Sequence, residues 1–188
     1  MILSDKSIKK RVESGEISIE PFSEEFVQPA SYDLHLDKYF LVFNKESIAV
    51  IDVKEKPEGL MREVIVSEEE GFILHPHEFV LANIKEITGV DDRHVGRLEG
   101  KSSLGRLGLI VHATASFLDP GNKLRLTLEL ANVSPLPIKI YPGMKIAQIA
   151  FEELDSSCER PYGSKGLNSK YCGDEKVEGS KMWKNFSK

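Results

Sequence analysis

The chain has 188 residues, enough for one domain and too few for two ordinary ones. Apolar residues make up 40% and charged residues 29%, the balance of a folded chain rather than a disordered one. The net charge of −5 argues against a general nucleic-acid binder, although a local basic pocket stays compatible with it.

The first predicted element is a short helix. Ser4 or Asp5 can cap it, Ile8 and Val12 stand four apart on one face, and Gly15 ends it. Met1-Ile2-Leu3-Ser4-Asp5-Lys6 has no apolar core of the signal-peptide kind. No apolar run nears the ~18 residues of a membrane span, so no membrane partner is expected. After Pro21 the pattern changes to β-branched and aromatic runs between turn signals. Candidate strands are 32–36, 40–43, 64–66, 72–74, 79–84, 108–113, 124–132, 138–140 and 145–151. Many short strands with one or two helices predict a mainly β sandwich or barrel. The charged stretch 54–70, with Pro57 and Gly59, reads as a surface excursion. From Asp155 onward Gly, Ser, Lys and Asn dominate. That segment is either a frayed tail or one that orders over a ligand, with Tyr162, Lys170 and Tyr171 as contacts. Cys158 and Cys172 form no CxxC pair, which points to a reduced, cytoplasmic compartment and no structural zinc.

Three constellations can carry chemistry. In Gly100-Lys101-Ser102-Ser103-Leu104-Gly105-Arg106, Ser102 is a natural N-cap, and Arg106 lies one turn on. A lysine, two hydroxyls, amides at a helix start and a guanidinium suit an anion such as a phosphate; a capped surface helix is the other reading. In 124–132, Leu124, Leu126, Leu128 and Leu130 alternate with Arg125, Thr127, Glu129 and Ala131. The leucines face one way and the polar residues the other. Glu129 is then either a general base or the partner of Arg125 on a solvated face. In 112–121 a strand ends in small residues before Asp119-Pro120-Gly121. Asp119 either holds a water or an Mg²⁺-bound group, or merely opens a turn. His112 reads as a strand histidine with a satisfied hydrogen bond. His75-Pro76-His77 lacks the Pro-Cys-x-x-Cys that a zinc deaminase needs.

In order along nearly the whole chain, these residues resemble the dCTP deaminase family of the dUTPase superfamily. The likeness runs from Met1-Ile2-Leu3-Ser4-Asp5 through Gln28-Pro29-Ala30-Ser31-Tyr32-Asp33-Leu34, residues 100–108 and residues 112–121. It continues at Thr127-Leu128-Glu129, Tyr141-Pro142-Gly143-Met144 and Ile146-Ala147-Gln148, and closes on Arg160-Pro161-Tyr162-Gly163 and Ser169-Lys170-Tyr171. The resemblance implies a distorted, jelly-roll-like β-barrel over 1–154 and a flexible C-terminal lid over 155–188. It implies a homotrimer with sites between chains, a hexamer of two trimers remaining open. It also implies deamination of dCTP without zinc. Glu129 then activates water for attack on C4, Ser102 and Arg106 support the attack, and the Ala115 carbonyl orients the water. The triphosphate lies against Lys101, Ser102, Ser103 and Arg106. Tyr162, Lys170 and Tyr171 close over it with Mg²⁺ held through the triphosphate rather than by protein side chains.

The family divides into enzymes that release dUTP and enzymes that go on to dUMP and pyrophosphate. The first type tends to carry Arg where this chain has Phe117. Gln148 matches a dUTPase-like strand end, and Asp119 matches the dUTPase aspartate that activates the hydrolytic water. These three positions favour the dUMP-forming type. Two stretches depart from the family: Asn122-Lys123-Leu124 stands where an aromatic, a small residue and Gly are usual, and Asp174 stands where Gln is usual. The alternatives are a deaminase that stops at dUTP and a non-catalytic dNTP-binding regulatory module.

Overall fold

The computed structural model describes residues 1–44, 46 and 48–187. Helix α1 (Asp5–Ser14) is capped by Ser4, whose hydroxyl accepts from the Ser7 amide, and ends at Gly15 in the left-handed conformation. Fully buried Ile8 anchors it. Arg11 ties it to the barrel, donating to His94 at 2.7 Å and to Glu153 at 2.9 Å.

Antiparallel strands dominate the chain from there to Glu153. They are β1 (Ile17–Glu20), β2 (Val27–Gln28), β3 (Ser31–Phe43), β4 (Met61–Ile65), β5 (Phe72–Leu74), β6 (Phe79–Ile84) and β7 (Ile87–Val90). Then follow β8 (His94–Gly100), the single turn α2 (Ser102–Gly105), β9 (Leu109–Ile110), β10 (Phe117–Leu118), β11 (Lys123–Leu124), β12 (Thr127–Asn132), β13 (Ile138–Ile140) and β14 (Lys145–Glu153). The largest sheet runs β10-β8-β14-β3-β6-β12-β9, with β2 and β4 also on β3. β1-β7-β11 and β13-β5 complete the wall.

The thirteen-residue β3 makes the sheet curl. Its first half pairs with β14 and its second with β4 and β6, and the register shifts between Leu36 and Phe40. Such an irregularity bends a strand, letting one element serve two walls. Tyr32, Leu34, Leu36, Phe40, Leu98, Leu128, Leu130, Ile149 and Phe151 fill the interior. Phe40 stacks on Phe72 at 4.5 Å between ring centroids. The result is the mainly β, distorted-barrel fold the sequence predicts.

Several strand limits differ from expectation. The segments 32–36 and 40–43 are one strand, and 124–132 is two. β11 pairs with β7 in one sheet and β12 with β6 in another, so the chain changes walls at Arg125 and Leu126. The segment 108–113 keeps only two strand residues. β1, β7 and β8 escape the sequence pattern; β8 carries Gly96, Gly100, Arg97 and Glu99, a poor strand composition. Gly96 is favoured by packing: a Cβ there would lie 2.8 Å from Ile149. The stretch 54–70 is largely exposed as expected, but β4 crosses it. No helix is long and apolar enough to cross a membrane among the described residues. Both cysteines are free.

Candidate active site

The leucine alternation of β12 places Glu129 as expected. Leu128 and Leu130 are fully buried, while Thr127 and Glu129 are half-buried on the other face. The Glu129 amide donates to Val111 at 3.0 Å, and the following loop turns over the carboxylate. Glu129 Oε2 accepts from the amides of Ala113 at 2.7 Å and Thr114 at 3.3 Å. This side-chain bonding explains why 111–116 is not a strand: the ladder partners are replaced by a carboxylate. Among the described residues Oε1 takes no hydrogen bond. One oxygen is therefore pinned and the other open, beside the exposed loop that carries Ala115. That is the arrangement a positioned base needs. Arg125 does not pair with it; its guanidinium donates to the carbonyls of Ile84, Lys85 and Glu175 and lies 3.7 Å from Asp37. His112 differs from expectation, with Nδ1 buried and unpartnered among the described residues.

The second group surrounds the end of β8. Lys101, not Ser102, occupies the N-cap of α2, and no side chain caps the turn. Ser102 is instead the first helical residue, and its carbonyl accepts from the Arg106 amide at 3.0 Å. Ser102, Ser103 and Arg106 are exposed. The Arg106 guanidinium has no partner among the described residues. Lys101 is differently placed: its ammonium lies 2.5 Å from Asp33, which is only 2% exposed, and Lys145 reaches the other oxygen of the same carboxylate at 3.1 Å. Two cations on one buried anion leave a net positive charge at the foot of α2. Gln148 lies alongside, donating to the Gly100 carbonyl at 3.2 Å and accepting from the Ser31 hydroxyl at 3.1 Å. Sheet register extends this face. Gln148 stands opposite Glu99, and Arg97 stands opposite both Ala150 and Phe117. Directly paired residues project to one side, so Phe117 and Gln148 share the outer face. Phe117 is 61% exposed, with the Arg97 guanidinium 6.0 Å from its ring.

The third group is a cleft of about 470 Å³ lined by Asp119, Pro120, Cys158, Arg160, Tyr162 and residues 167–171 of the tail. The tail is packed back onto the turn that carries Asp119. The Tyr162 amide donates to the Pro120 carbonyl at 2.8 Å. Gly121, at φ 79°, is indispensable here, because a Cβ would lie 2.5 Å from Pro161. The Tyr171 amide donates to the Tyr162 hydroxyl at 3.2 Å, closing the loop between them. Lys170 and Arg160 bring positive charge into the cleft, while Asp119 is its one acidic lining residue. Burial lifts the Asp119 carboxyl above the ordinary aspartate range. Asn122 after it is buried, Lys123 pairs with Glu20 at 2.7 Å, and Leu124 joins the core, so the atypical turn residues serve the β1-β7-β11 sheet.

Within one chain these groups form three neighbourhoods: Glu129 with Ala115; Lys101, Ser102, Ser103 and Arg106 with Gln148 and the Phe117 face; and Asp119 with Tyr162, Lys170 and Tyr171. Sequence reasoning assigned no role to Asp33 or to the cleft residues Arg160 and Asn168. Asp33 had a visible signal: an acid set between Tyr32 and Leu34 at the start of a candidate strand. Among the described residues no three His, Cys, Asp or Glu side chains gather as a metal cage.

Comparisons with known proteins give the family. The family profile described as dCTP deaminase-like matches residues 2–154. A Corynebacterium glutamicum (strain R) protein named dCTP deaminase, dUMP-forming, is 49% identical over 186 residues, covering 99% of this chain and 98% of the relative. A Thermobifida fusca (strain YX) protein of the same name is 47% identical over 188 residues, covering 100% and 96%. The solved 2'-deoxycytidine 5'-triphosphate deaminase of Agrobacterium tumefaciens shares the fold with a TM-score of 0.62 at 22% identity, over 80% of this chain and 46% of that one. The chain belongs to the dCTP deaminase-like family.

Proposed function

We propose that this chain hydrolyses dCTP to ammonia and a uracil nucleotide, and carries that product on to dUMP and pyrophosphate. The observation that carries the reading is similarity along the whole chain, at 47% to 50% identity, to proteins named dCTP deaminase, dUMP-forming.

The open oxygen of Glu129 takes a proton from water as the water oxygen adds to C4 of cytosine. Glu129 delivers that proton to ring N3, then moves the hydroxyl proton of the C4 adduct to the exocyclic amine, which leaves as ammonia while the C4 oxygen becomes a carbonyl. The carbonyl of Ala115 accepts the water's second hydrogen and orients it. Arg106 keeps its charge at any working pH and stabilises the negative charge that develops; Ser102 supports the attack with its hydroxyl. Ser102, Ser103 and Arg106 hold the triphosphate, with Lys101 adding charge from its pair with Asp33. Phe117 and Gln148 border the substrate on the outer face. In the second step Asp119 draws a proton from a second water that attacks the α-phosphorus, and pyrophosphate leaves. Mg²⁺ bound with the triphosphate would supply neutralisation of the charge that develops on the leaving pyrophosphate, with no protein side chain holding it.

Residues 155–188 act as a lid on the barrel of 1–154, with Tyr162, Lys170 and Tyr171 closing over the nucleotide. A homotrimer supplies the juxtaposition that one chain lacks, bringing Glu129, α2 and the tail cleft together at interfaces between copies. The reaction uses no zinc and provides dUMP for thymidine nucleotide synthesis in the cytoplasm. Quenched time points from dCTP with Mg²⁺, separated by anion exchange, test the reading. Ammonia, dUMP and pyrophosphate are expected in step. dUTP alone through complete dCTP consumption overturns the second step, and unconsumed dCTP overturns the whole reading.

A further inference from the structure

The tail does not end at the cleft. Upstream of it, the Cys158 amide donates to the Asp92 carbonyl at 2.9 Å. Downstream, the Arg125 amide donates to the Asp174 carbonyl at 2.8 Å and its guanidinium to the Glu175 carbonyl at 3.1 Å. Val177 is buried. The Lys181 ammonium lies 2.8 Å from Asp174 and 2.5 Å from Glu178, and 5.3 Å from the centre of the Tyr171 ring. The Lys181 amide also donates to the Tyr171 hydroxyl at 3.0 Å. Beyond it, Trp183 settles beside Leu41, Pro57 and Met61.

This hub is more than a solvated surface pair. The side chains of Lys181 and Asp174 are each 17% exposed, and charged hydrogen bonds strengthen as water is withdrawn. Burial works to lower the Lys181 pKa, but its hydrogen bonds to Asp174 and Glu178 and their negative charge outweigh it, so the ammonium is held more firmly charged than usual. Remove that cation and two carboxylates face each other behind Tyr171, the residue next to Lys170 in the cleft.

We propose that Lys181, paired with Asp174, is a positioning residue: it closes 159–173 into a strap fixed at both ends and so sets Tyr171 and Lys170 over the cleft. The inference rests on the reading that this cleft takes the nucleotide. It also gives Asp174, the acid at a position where the family usually has Gln, a purpose remote from phosphate. A segment tethered at both ends samples fewer conformations than a free tail. Apparent affinity scales with the fraction of molecules already in the competent form. The effect therefore falls on KM, because saturating nucleotide completes closure and leaves kcat in place.

The experiment compares wild type, Lys181→Met, Lys181→Arg and Asp174→Asn as full-length chains. Amide hydrogen exchange is followed without nucleotide, and KM and kcat are measured for dCTP. In Lys181→Met, amides of 160–173 should exchange faster while barrel protection holds. KM should rise about ten- to a hundredfold, the weight of one hydrogen bond to a charged group, with kcat nearly unchanged. Lys181→Arg should restore most of both, and Asp174→Asn should follow Lys181→Met in direction. An unchanged KM in Lys181→Met, whether or not the tail loosens, overturns the proposal. So does a fall in kcat at constant KM. Should Lys181→Met fail to fold, Asp174→Asn answers the same question. The exchange measurement needs no turnover, so a wild-type chain inactive on dCTP would defeat the proposed function separately from the strap.

Discussion

Glu129 and Asp119 are carboxylates close in sequence, and they are held in opposite ways. Glu129 projects from β12, a strand flanked by β6 and β9, and one of its oxygens accepts two backbone amides. Asp119 stands in a turn with no hydrogen bond to its carboxylate among the described residues, and a tail some forty residues on forms the opposite wall of its cleft. The first is preorganised by local backbone; the second depends on a distant segment arriving. A base built on a rigid strand keeps its geometry whether or not substrate is present. In the proposed mechanism, a carboxylate walled by the tail acquires its working surroundings only when that segment is in place, which suits a second step that should wait for the first.

The sharpest way to break this comparison is Glu129→Gln. The amide keeps the shape and removes the base, so ammonia release should fall about 10²–10⁴-fold. Hydrolysis of supplied dUTP should persist, because it depends on Asp119. Uracil-nucleotide formation from dCTP at the wild-type rate would remove Glu129 from its role.

Asp33→Asn tests the rigid side through stability. Deleting one partner of a fully buried ion pair costs about 3–5 kcal/mol; here Lys101 and Lys145 would be left facing each other but are partly solvated, so a smaller loss is expected. Urea denaturation should show a midpoint below that of wild type. An unchanged midpoint would mean that the two lysines are not held by Asp33 in solution.

Asp119→Asn addresses the side completed by the tail. Deamination should continue while dUTP accumulates, as anion-exchange traces would show; continued dUMP release would free Asp119 of its proposed part. A smaller effect is expected in the pH profile. Burial raises the Asp119 pKa, so the folded chain keeps this proton to higher pH than the unfolded one. Its contribution to stability is therefore present at low pH and is lost as pH rises through the raised value. Activity runs the other way, since the basic form appears only above that value. The acid limb of dUTP hydrolysis should lie above the ordinary aspartate range and should vanish in Asp119→Asn. An acid limb at the ordinary aspartate position would show that the closed cleft in solution is not desolvated.

Local pattern made much of this protein legible. The cap at Ser4, the stop at Gly15 and the leucine alternation through Leu130 are short-range features, governed by dihedral preference and period-2 geometry, and each appears in the structure as read. The alternation also fixed which face Glu129 would occupy. The N-cap of α2 was misread because Ser102 has the right chemistry, while the position was decided by Lys101 reaching back to Asp33 across the sheet. Nothing within a few residues of Lys101 encodes that partner. β8 was invisible for a similar reason: Gly96 and Gly100 weaken strand propensity, and it is the approach of Ile149 and Leu118 from distant segments that favours a glycine at 96.

The same division holds for function. Residue order and motif content along the chain determined the family, and the two candidate carboxylates were marked by their place on a strand and in a turn. Tertiary structure alone decided which oxygen of Glu129 stays open, that Arg125 serves the tail rather than Glu129, and that Asp174 pairs with Lys181. Those outcomes hang on contacts between segments far apart in the chain. Their energies come from burial and from charges meeting at low exposure, quantities a linear pattern does not contain.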